Sequence, residues 1–276
     1  MRFSQRIGKR PIKTVLQVDS MDGALRNRLW NNVHDDLVNE IPYDYPRLLT
    51  RIRVLKEIWK DFLVLPIDDI PMNDRNYILF VDYLREWFYK SEWDEVYDLI
   101  EYLLLFDIFT KRKFSSSCNI SLSKEVSGYR ILDSKIVQIT SEEEIQAIED
   151  ALDCSDKFKP VNKHLKTALN LLADRASPDY RNSIKESISA VEAFCILIVG
   201  DSKANLGKAL AIIESKHLLH SSLKEAYNKI YGYTSDADGI RHAMLEDGVL
   251  LNFEDAKFML VSCSAFINYL QAKLKL

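Results

Sequence analysis

The stretch Asp179-Tyr180-Arg181-Asn182-Ser183-Ile184-Lys185-Glu186-Ser187-Ile188-Ser189-Ala190-Val191-Glu192-Ala193-Phe194-Cys195-Ile196-Leu197-Ile198-Val199 decides the fold class. Ile184, Ile188, Val191, Cys195 and Ile198 recur every three or four residues, the period of an α-helix with one apolar face. Gly200 ends it.

The same period returns on both sides. Upstream, Val161, Leu165, Ala168 and Leu172 mark one helix. Downstream, a short helix is predicted from Leu206 to Glu214. Ser222-x-x-Glu225 reads as a capping box for the next, with Leu223, Tyr227 and Ile230 inward. Asn252 is placed to cap a last helix whose stripe is Ala256, Leu260, Cys263, Ile267, Leu270 and Leu274. Nearer the start, Leu25, Leu29 and Val33, with Trp30 beside them, predict a helix from Ser20. The run Ile41-Pro42-Tyr43-Asp44-Tyr45-Pro46 breaks it. Residues 47–63, 74–90 and 93–109 predict three more helices.

One segment differs. Lys111-Arg112-Lys113 and Ser115-Ser116-Ser117 open it. Two β-rich runs, 128–132 and 135–139, then flank Asp133-Ser134 and predict a hairpin. Thr140-Ser141 is placed to cap an acidic helix: residues 141–156 hold seven acidic residues and no basic one. The expected fold is mainly α. Residues 1–110 form a helical N-terminal domain, 111–155 a connector with hairpin and acidic helix, and 156–276 a helical bundle.

The 276 residues are 47% hydrophobic and 28% charged, normal for a chain that buries a real core. A net charge of -4 argues against coating nucleic acid by bulk charge. Residues 1–30 nevertheless carry seven cations, Arg26 and Arg28 among them, against Asp19 and Asp22. The four cysteines stand apart, with no zinc-ligand spacing, so reduced thiols and a cytoplasmic setting are expected. No apolar leader opens the chain, and the longest apolar run is too short to span a bilayer. No cofactor, metal or membrane partner is expected.

P-loop, GxGxxG, GxSxG and HExxH motifs are absent. His217 and His220, three apart, make a weak metal pair against a solvated or helix-end role. Asp236-x-Asp238-Gly239 lacks the later ligands of a calcium loop and reads as a turn capping the next helix. Arg241-His242 follows it. Arginine offers a permanent planar cation suited to phosphate, and histidine titrates near neutrality. Metal-free RNA cleavage needs those two roles. The competing reading pairs Arg241 with Asp236, Asp238 or Glu246 and lets His242 pack or cap. Arg181 and Glu192 lie on or beside the buried stripe of the helix quoted above, as a structural ion pair or as one wall of a site.

Longer strings carry a resemblance. Phe3-Ser4-Gln5-Arg6-Ile7-Gly8, Ser20-Met21-Asp22 and Leu25-Arg26-Asn27-Arg28-Leu29-Trp30-Asn31 are similar to the fourth class of AbiJ N-terminal domains. Ser127-Gly128-Tyr129-Arg130 through Ile139-Thr140-Ser141-Glu142-Glu143 resembles what these proteins carry next. The stretch 179–193, Leu206-Gly207-Lys208-Ala209-Leu210, the segment 231–242 and Ala256-Lys257-Phe258-Met259-Leu260-Val261 resemble their C-terminal domain.

The resemblance implies a bacterial abortive-infection protein with a HEPN-like C-terminal domain. Such domains often dimerise and often cleave RNA without metal in phage defence. Their motif is Arg, four to six residues, then His. Here Arg241 fits the arginine, Glu246 stands where histidine is expected, and His242 lies about 100° round a helix from Arg241. Arg28-x5-His34 matches the spacing formally, in the N-terminal domain.

Two readings stand. In the first, RNA enters between two copies of the C-terminal domain. Arg241, His242 and Glu246 form the catalytic set, Arg181, Asn182 and Asp238 contact the strand, and Arg26 and Arg28 add a basic surface. In the second, the chain is a non-catalytic nucleic-acid-binding, ligand-binding or dimerisation module.

Overall fold

The structure is a computed structural model that describes residues 3–9, 13, 15–39, 45–71, 77–106, 111–153, 156–174, 177–216, 219–235 and 251–274. The chain divides into two compact units, 1–140 and 141–276. Among the described residues, regular structure is helical apart from one two-stranded hairpin, so the fold is mainly α as expected.

The first unit contains α1 (Phe3–Arg6), α2 (Gly23–His34), α3 (Tyr45–Glu57), α4 (Ile78–Lys90), α5 (Trp93–Leu103), α6 (Lys111–Lys124), β1 (Arg130–Leu132) and β2 (Lys135–Val137). Asp22 starts α2 by accepting from the Leu25 amide at 2.9 Å. The expected stripe of Leu25, Leu29, Trp30 and Val33 is buried. α2 and α3 each run on into a π-turn, Asp35–Asn39 and Ile58–Phe62. The core closes with Phe80, Leu84 and Phe88 of α4, Val96, Ile100 and Leu103 of α5, and Phe114, Cys118 and Leu122 of α6. Each such fully buried side chain contributes roughly 1.5–3 kcal/mol.

Helix α6 lies where the sequence suggested a connector. Its serines are only middling helix formers. Phe114, Cys118 and Leu122 recur every four residues and are fully buried, so packing decides. The hairpin matches expectation, with Ile131 opposite Ile136. Asp133 and Ser134 both have positive φ, 45° and 65°. Two left-handed residues are what a two-residue turn matched to strand twist requires. Asn119 of α6 binds the outer edge of β1, donating to the Ile131 carbonyl at 2.8 Å and accepting its amide at 2.7 Å.

The second unit contains α7 (Glu142–Leu152), α8 (Lys159–Ala173), α9 (Tyr180–Val199), α10 (Leu206–Ser215), α11 (Ser221–Ser235) and α12 (Phe253–Leu274). The acidic helix α7 thus packs here, against α8 and α12. α9 is the central helix, touching α8, α10, α11 and α12. Its buried residues include Ile184, Ile188, Val191, Phe194 and Cys195. Ser141, Asp179 and Asn205 cap α7, α9 and α10 through amides three residues on. Gly200, at φ 75°, closes α9.

Asn252 caps α12 as expected. It accepts the Asp255 amide at 3.1 Å, and Asp255 accepts the Asn252 amide at 3.0 Å. The start of α11 differs from the predicted capping box. His220 accepts the Ser222 amide through Nδ1 at 3.2 Å, so the cap lies two residues before Ser222. No described helix is long and apolar enough to cross a membrane.

Candidate functional site

Arg241, His242, Glu246 and Asp238 lie in the segment 236–250, outside the described residues. Chain order ties that segment to the end of α11 and the start of α12. The described residues around those two ends frame the candidate site.

The starts of α9 and α12 meet there. Tyr180, first residue of α9, makes an edge-on contact with Phe253, first residue of α12, with ring centroids 6.3 Å apart. Helix starts carry partial positive charge, and here two are brought together. Arg181 follows Tyr180. Among the described residues its Nη2 is buried and has no hydrogen-bond partner. A guanidinium has only donors to offer, and a buried donor left unmade costs about 1–3 kcal/mol, more for a charged group. An anionic oxygen would satisfy it. Asn182 is exposed and already engaged: its amide and its Nδ2 donate to the Asp179 carboxylate at 3.0 and 2.6 Å.

Glu192 does not pair with Arg181. Eleven residues of helix separate them by about 16 Å. Glu192 Oε1 instead accepts the Leu206 amide at 3.1 Å and the Tyr231 hydroxyl at 3.4 Å, tying α9 to the starts of α10 and the later half of α11. Of the two outcomes open in the sequence, Glu192 is structural and Arg181 is left over.

Between α11 and α12 runs a groove of about 370 Å³, lined by Lys229, Ile230, Tyr233, Asp255, Phe258 and Met259. Behind it Tyr227 stacks on Phe266, with ring centroids 3.5 Å apart, and donates to the Ser262 carbonyl at 3.0 Å.

Arg26 and Arg28 lie in the first unit and have protein partners. Arg26 Nη1 donates to the carbonyls of Phe88 and Ser91 at 2.5 and 2.8 Å, closing the end of α4. Arg28 Nε donates to Glu125 Oε1 at 2.6 Å. Lys13 binds the other oxygen of Glu125 and also Asp22.

Sequence reasoning passed over one titratable pair. His164 Nδ1 on α8 sits 2.6 Å from Glu186 Oε2 on α9, both half-buried. Nothing in local spacing joins residues on two different helices. Among the described residues no group of three His, Cys, Asp or Glu could hold a metal ion. His220 uses Nδ1 as a cap, and His217 lies outside the described residues.

Comparison with known proteins places residues 1–153 within the family model described as AbiJ N-terminal domain 4. That match takes in the whole first unit and α7 of the second. No curated protein and no solved structure matches the chain.

Proposed function

This chain belongs to the AbiJ N-terminal domain 4 family, and from that premise we propose that it acts in abortive infection, as an anti-phage effector whose second unit is a HEPN-like, metal-independent endoribonuclease. Membership suggests the defence role. The helical second unit and the C-terminal resemblance support the nuclease.

The observation that carries the reading furthest is Arg181. Its unpartnered, buried Nη2 lies at the start of α9, next to the start of α12. A phosphate of RNA is the anion that reading supplies. Arg241 would hold the scissile phosphate and His242 would move the proton between the 2′-hydroxyl and the leaving oxygen. Glu246, placed where the family motif has histidine, would orient or charge-balance His242, and Asp238 would close the turn before them. Asn182 stays with Asp179 and holds the start of α9. Two copies of the chain would face each other through the second unit. Arg26 and Arg28, given their protein partners, serve the first unit's fold in this reading.

The second reading is a non-catalytic dimerisation or ligand module, favoured by the apolar groove between α11 and α12. The two part on toxicity. Expression of the wild-type chain should arrest growth, and Arg241→Ala and His242→Ala should each relieve it at equal soluble level. Unchanged toxicity in both variants excludes the catalytic reading.

A further inference from the structure

The residues lining the groove between α11 and α12 all lie near one end of each helix. Lys229, Ile230 and Tyr233 fall within two turns of the end of α11 at Ser235, and Asp255, Phe258 and Met259 within two turns of the start of α12 at Phe253. Chain order attaches the segment bearing Arg241 and His242 to those same two ends. The groove's floor is apolar, with Met259 buried and Ile230 half-buried. Its sides carry two rings that stand in solvent, Tyr233 46% exposed and Phe258 62%. A single projecting ring is ordinary on a surface. Two of them, on different helices of one groove, make a slot for a flat ligand. The volume of about 370 Å³ lies in the range of small-ligand sites.

Polar groups decide which flat ligand fits. Asp255 accepts the Asn252 amide at 3.0 Å, which fixes the carboxylate and uses one of its roughly four acceptor directions. Burial and the Asp255 charge push the Tyr233 hydroxyl up, so the phenol keeps its proton within reach of that carboxylate. Lys229 offers donors alone.

A carboxylate binds best where two donors stand side by side. Among the four RNA bases only guanine has such a pair, N1–H and the N2 amino group. Its O6 and N7 are acceptors suited to an ammonium. Adenine and cytosine present one amino group beside an acceptor nitrogen. Uracil presents one N–H between two carbonyls, which a carboxylate repels.

We infer that this groove is a base-reading subsite that takes one unpaired guanine of a single-stranded RNA. The base stacks between Tyr233 and Phe258, donates N1–H and N2–H to Asp255, and accepts from Lys229 at O6. The inference rests on the ribonuclease reading above for its strand, and adds to it which base the strand must carry beside the site of cleavage.

Fluorescence anisotropy of the full chain with labelled 2′-O-methyl oligonucleotides, which lack the 2′-hydroxyl that cleavage uses, tests it. The strands are uridine runs with one central guanine, adenine, cytosine or inosine. The guanine strand should bind about tenfold more tightly than the adenine, cytosine and all-uridine strands. Inosine, which lacks only the N2 amino group, should lose most of that advantage with the protein unaltered. Asp255→Asn should abolish the preference without weakening the all-uridine strand. Tyr233→Ala and Phe258→Ala should each weaken the guanine strand about tenfold. Equal affinity for all strands, or inosine bound as well as guanine, overturns the inference. Guanosine 5′-monophosphate bound as tightly as the strand also overturns it, since the ligand is then a free nucleotide. Guanine-dependent binding of natural RNA that stays uncut removes the nuclease and keeps the subsite. Cut RNA whose ends show no guanine at a fixed position does the reverse.

Discussion

Arg28 of α2 and Glu125, just past the end of α6, meet at 2.6 Å across ninety-seven positions of chain. Glu125 is largely buried, and Lys13 holds its second oxygen. Burial pushes the carboxyl up, but hydrogen bonds and charge from Lys13 and Arg28 outweigh it and hold Glu125 below its ordinary 4.5. A carboxylate lowered in the folded state contributes stability that is fully present above 4.5 and lost as pH falls through the lowered value. Glu125→Gln should therefore destabilise the first unit at pH 7 by about 2 kcal/mol, because two cations lose their partner. The loss should shrink as pH falls below 4.5. Denaturant melts at pH 7 and pH 3.5 check this; equal losses at both would contradict it.

Gly128 marks where the chain preceding α2 docks. Its amide donates to the Gln17 carbonyl at 2.7 Å, and a Cβ there would meet Val18 Cγ2 at 3.0 Å and that carbonyl at 3.1 Å. Gly128→Ala should cost about 1–3 kcal/mol by overpacking. Hydrogen exchange should rise at Gln17 and Gly128 while the interior of α9 stays protected. Unchanged exchange at both amides would mean the segment is not held there.

Cys118, Cys195 and Cys263 are buried and free. Burial pushes all three thiols up, Cys195 and Cys263 to about 12 and Cys118 further. The thiolate is the reactive form, so native protein at pH 8 should leave all three unlabelled by iodoacetamide for hours. Mass spectrometry after a denaturant pulse should then label them fully. Fast native labelling of Cys195 or Cys263 would show that the α9–α12 packing opens readily.

The elements of the fold differ in how far the sequence foretold them. The stripes of α2, α9 and α12, the Asp133-Ser134 turn and the Asn252 cap could be read because periodicity, turn chemistry and capping are local. α6 could not, since its serines masked a four-residue repeat of Phe114, Cys118 and Leu122. Arg26 and Arg28 looked like a basic surface because their partners, Phe88, Ser91 and Glu125, lie more than sixty positions away. The His164–Glu186 contact joins two helices and has no sequence signature of its own. Around the candidate site, the spacing puts Arg181 and Glu192 on or beside one stripe, and the eleven-residue rise along α9 is what keeps them from pairing.

Arg181 offers a test in which stability and function move in opposite directions. Arg181→Met keeps an unbranched apolar stem while removing the guanidinium and with it an unpartnered buried donor. Melting should be unchanged or improved by about 1 kcal/mol. Single-stranded RNA binding, followed by fluorescence anisotropy at fixed salt, should weaken about tenfold, equivalent to one lost charge-assisted contact. A marked loss of stability with unchanged RNA binding would make Arg181 a structural residue.

Incubating the purified chain with total RNA, with and without an excess of EDTA, tests the central claim most directly. The account predicts discrete fragments that accumulate equally under both conditions and vanish in Arg241→Ala. RNA that stays intact with the folded wild-type protein, or cleavage that EDTA stops, would contradict it.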